Sequence, residues 1–176
     1  MNELINMKIR FFYLDISSCE KSFHPASKNI FRASEILEAP ISIKKPYSKY
    51  LLSTLESDFS ENMFGDYDKL LKEIDKLEEG EKVSFIFECD GFTHYVSTHS
   101  VTFEHTIFGV CPHWPLWSCP LSHYKIAVQA ARDFFAMPVS LDSELIVELP
   151  ESDMAQITLF PPRLAENETA FGITHD

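Results

Sequence analysis

The sequence predicts an α+β fold, an antiparallel or mixed sheet with a central meander covered by two or three helices. Three observations predict it. Residues 83–110 alternate apolar and polar side chains and are broken by Asp90-Gly91, a pair suited to a tight hairpin turn. Residues 66–79 and 122–137 repeat apolar residues at helical spacing. Further β-rich runs stand at residues 7–17 and 144–149, far from the meander in sequence.

Taken in order, MKIRFFYLDIS (residues 7–17) has the branched and aromatic content of a strand. Residues 18–46 are mixed and punctuated by Pro25, Pro40 and Pro46, with a short helix expected around residues 34–38 and a strand at residues 41–43. Tyr50, Leu51, Leu55 and Phe59 recur at helical spacing over residues 47–59. After a break at residues 60–65, Tyr67, Leu70, Leu71, Ile74 and Leu77 form one helical stripe, with Asp66 as the expected N-cap and Gly80 as the stop. The opposite face, Lys69, Lys72, Glu73, Asp75, Lys76 and Glu79, has the character of a solvated surface.

In the meander, Val83, Phe85 and Phe87 share one side of the first strand, and Phe92, His94 and Val96 one side of the second. A third strand is expected over residues 101–110. A loop rich in Trp and Pro follows, then a helix with Ser122 or a neighbour as cap and Tyr124, Ala127, Val128, Ala131, Phe134 and Phe135 on one face, ended by Pro138. Residues 144–149 predict another strand and residues 156–160 a last short one, with a peripheral or flexible tail from about residue 163.

A chain of 176 residues fits one domain, which should bury about 70% of the surface its unfolded form exposes. Fifteen Lys and Arg against twenty-seven Asp and Glu leave a formal charge of -12. That balance disfavours direct nucleic-acid binding, which draws affinity from a basic patch releasing counterions; Lys44 and Lys45 are the clearest cationic cluster. An acidic surface favours cationic protein partners instead. Four cysteines do not make a disulfide scaffold, and the first residues carry no secretory pattern, so a cytoplasmic protein with reduced thiols is expected. Residues 106–124 lack Asp, Glu, Lys and Arg, but three prolines and two histidines argue against a membrane span.

Cys111, His113, Cys119 and His123 are a ligand set zinc accepts. Their spacing fits a structural site poorly, since such sites present ligand pairs from a knuckle or one helical face, and buried thiols with ordinary histidines are the simpler alternative. Cys19 with His24, or Cys89 with His94, raise thiol catalysis, though closeness in sequence is weak support for a pair that must meet in space. His94, His99 and His105 recur through the meander as scattered sheet residues or as a shared pH-sensitive patch. Neither a Gly-rich phosphate loop nor a Ser-centred elbow appears. Trp114 and Trp117, in a proline-stiffened loop, form either a lid over the core or an interface anchor, with the lid preferred.

The succession from residue 66 to residue 149 of an acidic amphipathic helix, the FECDG hairpin, a further strand, the helix AVQAARDFFAMP and the strand ELIVEL is similar to immunity proteins of bacterial polymorphic-toxin and contact-dependent growth-inhibition systems. The likeness covers about half the chain and rests mostly on the alanine-rich helix ending in Phe-Phe and proline. Related sequences often place a tryptophan in the strand after this helix, and ELIVEL has none. The resemblance implies a non-enzymatic protein without a cofactor or metal that binds one cognate toxin domain and blocks its active site or the substrate's route. Contact is then expected through Glu56, Asp58, Glu61, Phe64, Asp66 and Asp68, with Trp114 and Trp117 as aromatic candidates. The alternatives are a small zinc- or thiol-dependent enzyme using the 111–123 loop and a generic cytosolic interaction protein.

Overall fold

The computed structural model describes residues 7–15, 30–58, 64–150 and 171–172. Strands β1 (Met7–Asp15) and β2 (Ile30–Leu37) are followed by helix α1 (Ile41–Pro46) and two π-helical stretches, Tyr47–Leu52 and Thr54–Asp58. Helix α2 (Phe64–Glu78) leads into β3 (Ser84–Glu88), β4 (Phe92–Ser97), β5 (Ser100–His105) and β6 (Trp117–Pro120). Helix α3 (Leu121–Phe135), β7 (Glu144–Leu149) and β8 (Phe171–Gly172) complete the order. The strands form two sheets, β2-β1-β7 and β6-β5-β4-β3-β8, antiparallel throughout except for the β3–β8 pair. The fold is α+β, with the meander at the centre of the larger sheet.

Alternation places the core. Met7, Ile9, Phe11 and Tyr13 bury one face of β1, while Phe85, Phe87, Phe92, His94, Val96, Val101 and Phe103 bury one face of the meander. Helix α3 belongs to both layers. Near its start Tyr124 stands edge-on to His94 and Phe103, and near its end Phe134 packs on Phe11 and Tyr13 with centroids 5.9 and 5.0 Å away. Buried Ala127, Ala130 and Ala131 let it approach closely between those two ends. Helix α2 contributes Tyr67, Leu70, Ile74 and Leu77 to the same core. It ends as the sequence predicts: Gly80 takes φ +78° and donates to the Leu77 carbonyl, while Glu81 donates to that of Lys76.

Several local expectations are corrected. Residues 34–37 are strand because β2 pairs residue by residue with β1, from Lys8 opposite Leu37 to Asp15 opposite Ile30, a long-range ladder that overrides weak helical propensity, and Glu38 is a bend at φ +59°. Residues 41–43 open α1 instead of forming a strand, as the Pro40 carbonyl accepts from the amides of Ile43 and Lys44. Pro46 has no N–H for the α-helical ladder, and the chain continues beyond it in wider π-helical turns. Asp66 lies inside α2, which begins at Phe64, and Ser122 lies inside α3, whose N-cap is Pro120. The third meander strand stops at His105, and the expected Trp/Pro loop holds β6. The strand expected at residues 156–160 lies outside the described residues; of the expected peripheral tail, Phe171–Gly172 pairs in parallel with Phe87 and Glu88.

Candidate interaction surfaces

The acidic stretch is largely tied into the fold where it is described. Glu56 Oε1 accepts from the Ser34 amide at 2.7 Å and the Ser34 hydroxyl at 2.6 Å, so this carboxylate covers a backbone donor of β2, which is an edge strand among the described ones. Asp68 Oδ1 sits 2.8 Å from Arg132 Nη2 on α3. Asp58, Phe64 and Asp66 are placed by their backbone at the end of the second π-helical stretch and the start of α2. Glu61 lies outside the described residues.

Carboxylates elsewhere follow a repeated arrangement. Lys125 on α3 is held between Asp75 and Glu78 of α2, at 3.2 and 3.0 Å. On the outer face of β2-β1-β7, Arg10 lies between Glu35 at 3.0 Å and Glu144 at 2.7 Å, and Lys8 between Glu38 at 3.3 Å and Glu148 at 3.9 Å. In each case one cation is shared by two acids and the local charge stays negative. Glu73 is the reverse, one carboxylate taken by Lys76 and Lys82; these partners draw its proton affinity down against partial burial, which pushes it up.

The two tryptophans lie against the core. Trp117 stacks on Tyr50 with centroids 5.4 Å apart, meets Tyr47 edge-on at 4.8 Å and touches Phe103 at 5.4 Å. Trp114 packs against Phe92, Tyr50 and, at 4.4 Å, the ring of His105, while the Lys49 ammonium lies 4.4 Å above it. Lys49 also donates to the His113 carbonyl and the Tyr50 hydroxyl to that of Pro115, so the π-helical stretch holds the Trp/Pro loop down. Both rings are half-buried, the geometry of a lid.

Residues 106–110, which the sequence placed in a strand, form a projecting turn that sequence reasoning missed as a surface. His105 Nδ1 accepts from the amides of Ile107 at 3.2 Å and Phe108 at 3.1 Å, and Gly109, at φ +60°, donates to the His105 carbonyl. Thr106 ties the turn to the β3–β4 connection, its amide donating to Gly91 and its hydroxyl to Cys89. A reciprocal backbone pair between Cys111 and Trp114 closes the far side. The signal was present as three apolar residues around a glycine in a charge-free stretch.

The cysteines and histidines are distributed through different environments. His123 donates from Nε2 to the Pro150 carbonyl at 2.6 Å, which leaves Nδ1 to accept from the Tyr47 hydroxyl at 2.7 Å. Both nitrogens are thereby engaged within the protein. Burial pushes the Cys119 thiol well above its ordinary range, opposing thiolate formation. Cys111 is half-buried in the loop and His113 exposed. Among the described residues no three His, Cys, Asp or Glu side chains converge as a metal site would require. Cys89 and His94 are both in the core, Cys19 and His24 lie outside the described residues, and His99 is exposed at a turn. His94 is fully buried; its Nδ1 shares a 2.7 Å hydrogen bond with the Tyr124 hydroxyl, and its Nε2 has no partner among the described residues. His94, His99 and His105 therefore share no surface.

No helix among the described residues is long and apolar enough to cross a membrane. Comparison with family models, curated proteins and solved structures finds no match to this chain.

Proposed function

We propose that the chain is a cytoplasmic immunity protein that binds and neutralises a cognate bacterial toxin domain, a nuclease with a basic active-site cleft. The observation that supports this reading is the pattern of ion pairs. Lys8, Arg10 and Lys125 are each held between two carboxylates, so the acidic surface is ordered and still negative. Fixed carboxylates of this kind match a cleft built to hold phosphates. They would take phosphate positions with little loss of side-chain freedom, and the charge of -12 speeds encounter with a cationic surface. The further contacts expected from the sequence lie at Asp58, Glu61 and Asp66.

The test uses the protein domain encoded immediately upstream of this chain's gene. Its expression alone should arrest growth, and co-expression of the chain should restore it. Affinity should fall as salt is raised from 50 to 500 mM, roughly the range over which screening lengths contract from above 10 Å to below 5 Å. The triple variant Asp58→Lys, Glu61→Lys, Asp66→Lys should bind more weakly. Absence of such a domain, or growth arrest that persists beside the intact chain, refutes the proposal; binding unchanged by the triple variant moves the contact elsewhere.

A further inference from the structure

We infer that the turn carrying Ile107, Phe108 and Val110 is a preformed apolar plug that seats in a hydrophobic pocket, rimmed by Lys or Arg, on a partner protein. The inference rests on the toxin-binding reading for the identity of that partner, and it supplies the anchor that reading lacks. These three side chains are 77%, 64% and 61% exposed, an unusual cluster for large apolar residues so close together in a chain. The backbone beneath them is held by the two amide bonds to His105, the Gly109–His105 bond, the Thr106 bonds to the β3–β4 connection and the Cys111–Trp114 pair. The Phe108 ring itself lies 4.9 Å from that of His105, which is packed on Trp114. A plug held in this way loses little conformational freedom on docking, which is what makes an aromatic anchor effective.

Charge around the plug selects its occupant. Glu104 Oε1 lies beside Gly109, 3.9 Å from where a Cβ would stand, and Glu88 lies in the same cross-strand row through Thr93. Asp90 is in the β3–β4 connection to which Thr106 is bonded. The neighbouring cation, Lys49, is turned onto the Trp114 ring and the His113 carbonyl. Among the described residues, Glu88, Asp90 and Glu104 against Lys49 give the plug an acidic collar. A second copy of the chain would set two such collars against each other, and an anionic lipid surface would be repelled by the collar and by the net charge alike. A protein pocket with an apolar floor and a basic rim satisfies both parts.

The test places a photo-crosslinking amino acid at Phe108, and separately at exposed Val139 as control, in cells that encode the chain. A specific adduct from position 108 with one other protein, identified by mass spectrometry, is expected. That protein, purified, should bind the Ile107→Ser/Phe108→Ser variant about thirtyfold more weakly or worse, as loss of an anchor pair implies. The Phe108→Leu variant should retain most of the affinity. Both replaced side chains are exposed, and circular dichroism verifies that the variants stay folded. Adducts formed only with a second copy or with lipid, no adduct, or sedimentation of the chain with phosphatidylcholine–phosphatidylglycerol vesicles overturns the inference. If the partner is a toxin that binds the double serine variant unchanged, the plug assignment fails and the immunity reading stands. If the partner docks on the plug but does not arrest growth when expressed, the plug stands and the immunity reading fails.

Discussion

Acidification should destabilise this protein through His94 before the surface carboxylates are neutralised. Burial pushes that imidazole down from 6.5 to about 3. Between those values the unfolded chain binds a proton that the folded chain refuses, so stability present above pH 6.5 is lost as the pH falls, by about 1.4 kcal/mol per pH unit. At pH 4.5 the loss reaches about 2.7 kcal/mol, a large fraction of the ~5–15 kcal/mol that holds a typical domain. The informative variant is His94→Phe/Tyr124→Phe, which removes both ends of the buried 2.7 Å hydrogen bond and strands neither. Repacking the extra ring atoms shifts its stability by a similar amount at every pH, so that offset cancels when pH dependence is compared. Urea unfolding at pH 7.5 and 4.5 gives the four free energies required. The parent chain should lose about 2.7 kcal/mol more than the double variant between the two conditions. Equal losses would refute the reasoning, because His123 and the carboxylates are common to both proteins. His123, held down by burial against the opposing Pro150 bond, adds acid lability of the same sign to each.

Tyr47→Phe leaves His123 Nδ1 without its 2.7 Å donor, and urea unfolding at pH 7.5 should show a loss of about 1–3 kcal/mol. With an aromatic-disulfide reagent under native conditions, half-buried Cys111 should react and fully buried Cys119 only after denaturant is added; rapid native labelling of Cys119 would show that β6 opens. Elemental analysis of the purified protein should find zinc well below one equivalent. Stoichiometric zinc that disappears in Cys111→Ala and Cys119→Ala would replace the immunity reading with the metal-dependent one.

What the sequence disclosed about the fold followed the periodicity of its elements. Residues 66–79 and 122–137 have unambiguous helical stripes, and Asp90-Gly91 marks its hairpin, so α2, α3 and the β3–β4 pair were legible from local pattern. β2 was not, because SEIL is helix-compatible in isolation and becomes strand only through pairing with β1. β6 was obscured by the prolines around it, and its pairing with β5 is a tertiary fact. At the candidate surfaces the sequence supplied residue types without their partners. Glu56 and Asp68 were visible as acids, but not that Ser34 and Arg132 occupy them. His105 appeared as one more sheet histidine, since nothing in its spacing reveals that its ring accepts two backbone amides and so ends the strand at that point.

The pairing of β1 with β7 also orders events during synthesis. Met7 stands opposite Leu149 and Phe12 opposite Glu144, so the central strand of the small sheet leaves the ribosome long before one of its two partners exists. Until then β2 is its one available neighbour from that sheet. The strands of the meander, by contrast, emerge in close succession and can pair as they appear. Helix α3, which seals both layers, is made between these two occasions. A ribosome halted before Glu144 therefore carries a chain with a complete meander and a half-built second sheet whose apolar middle strand still lacks a flank.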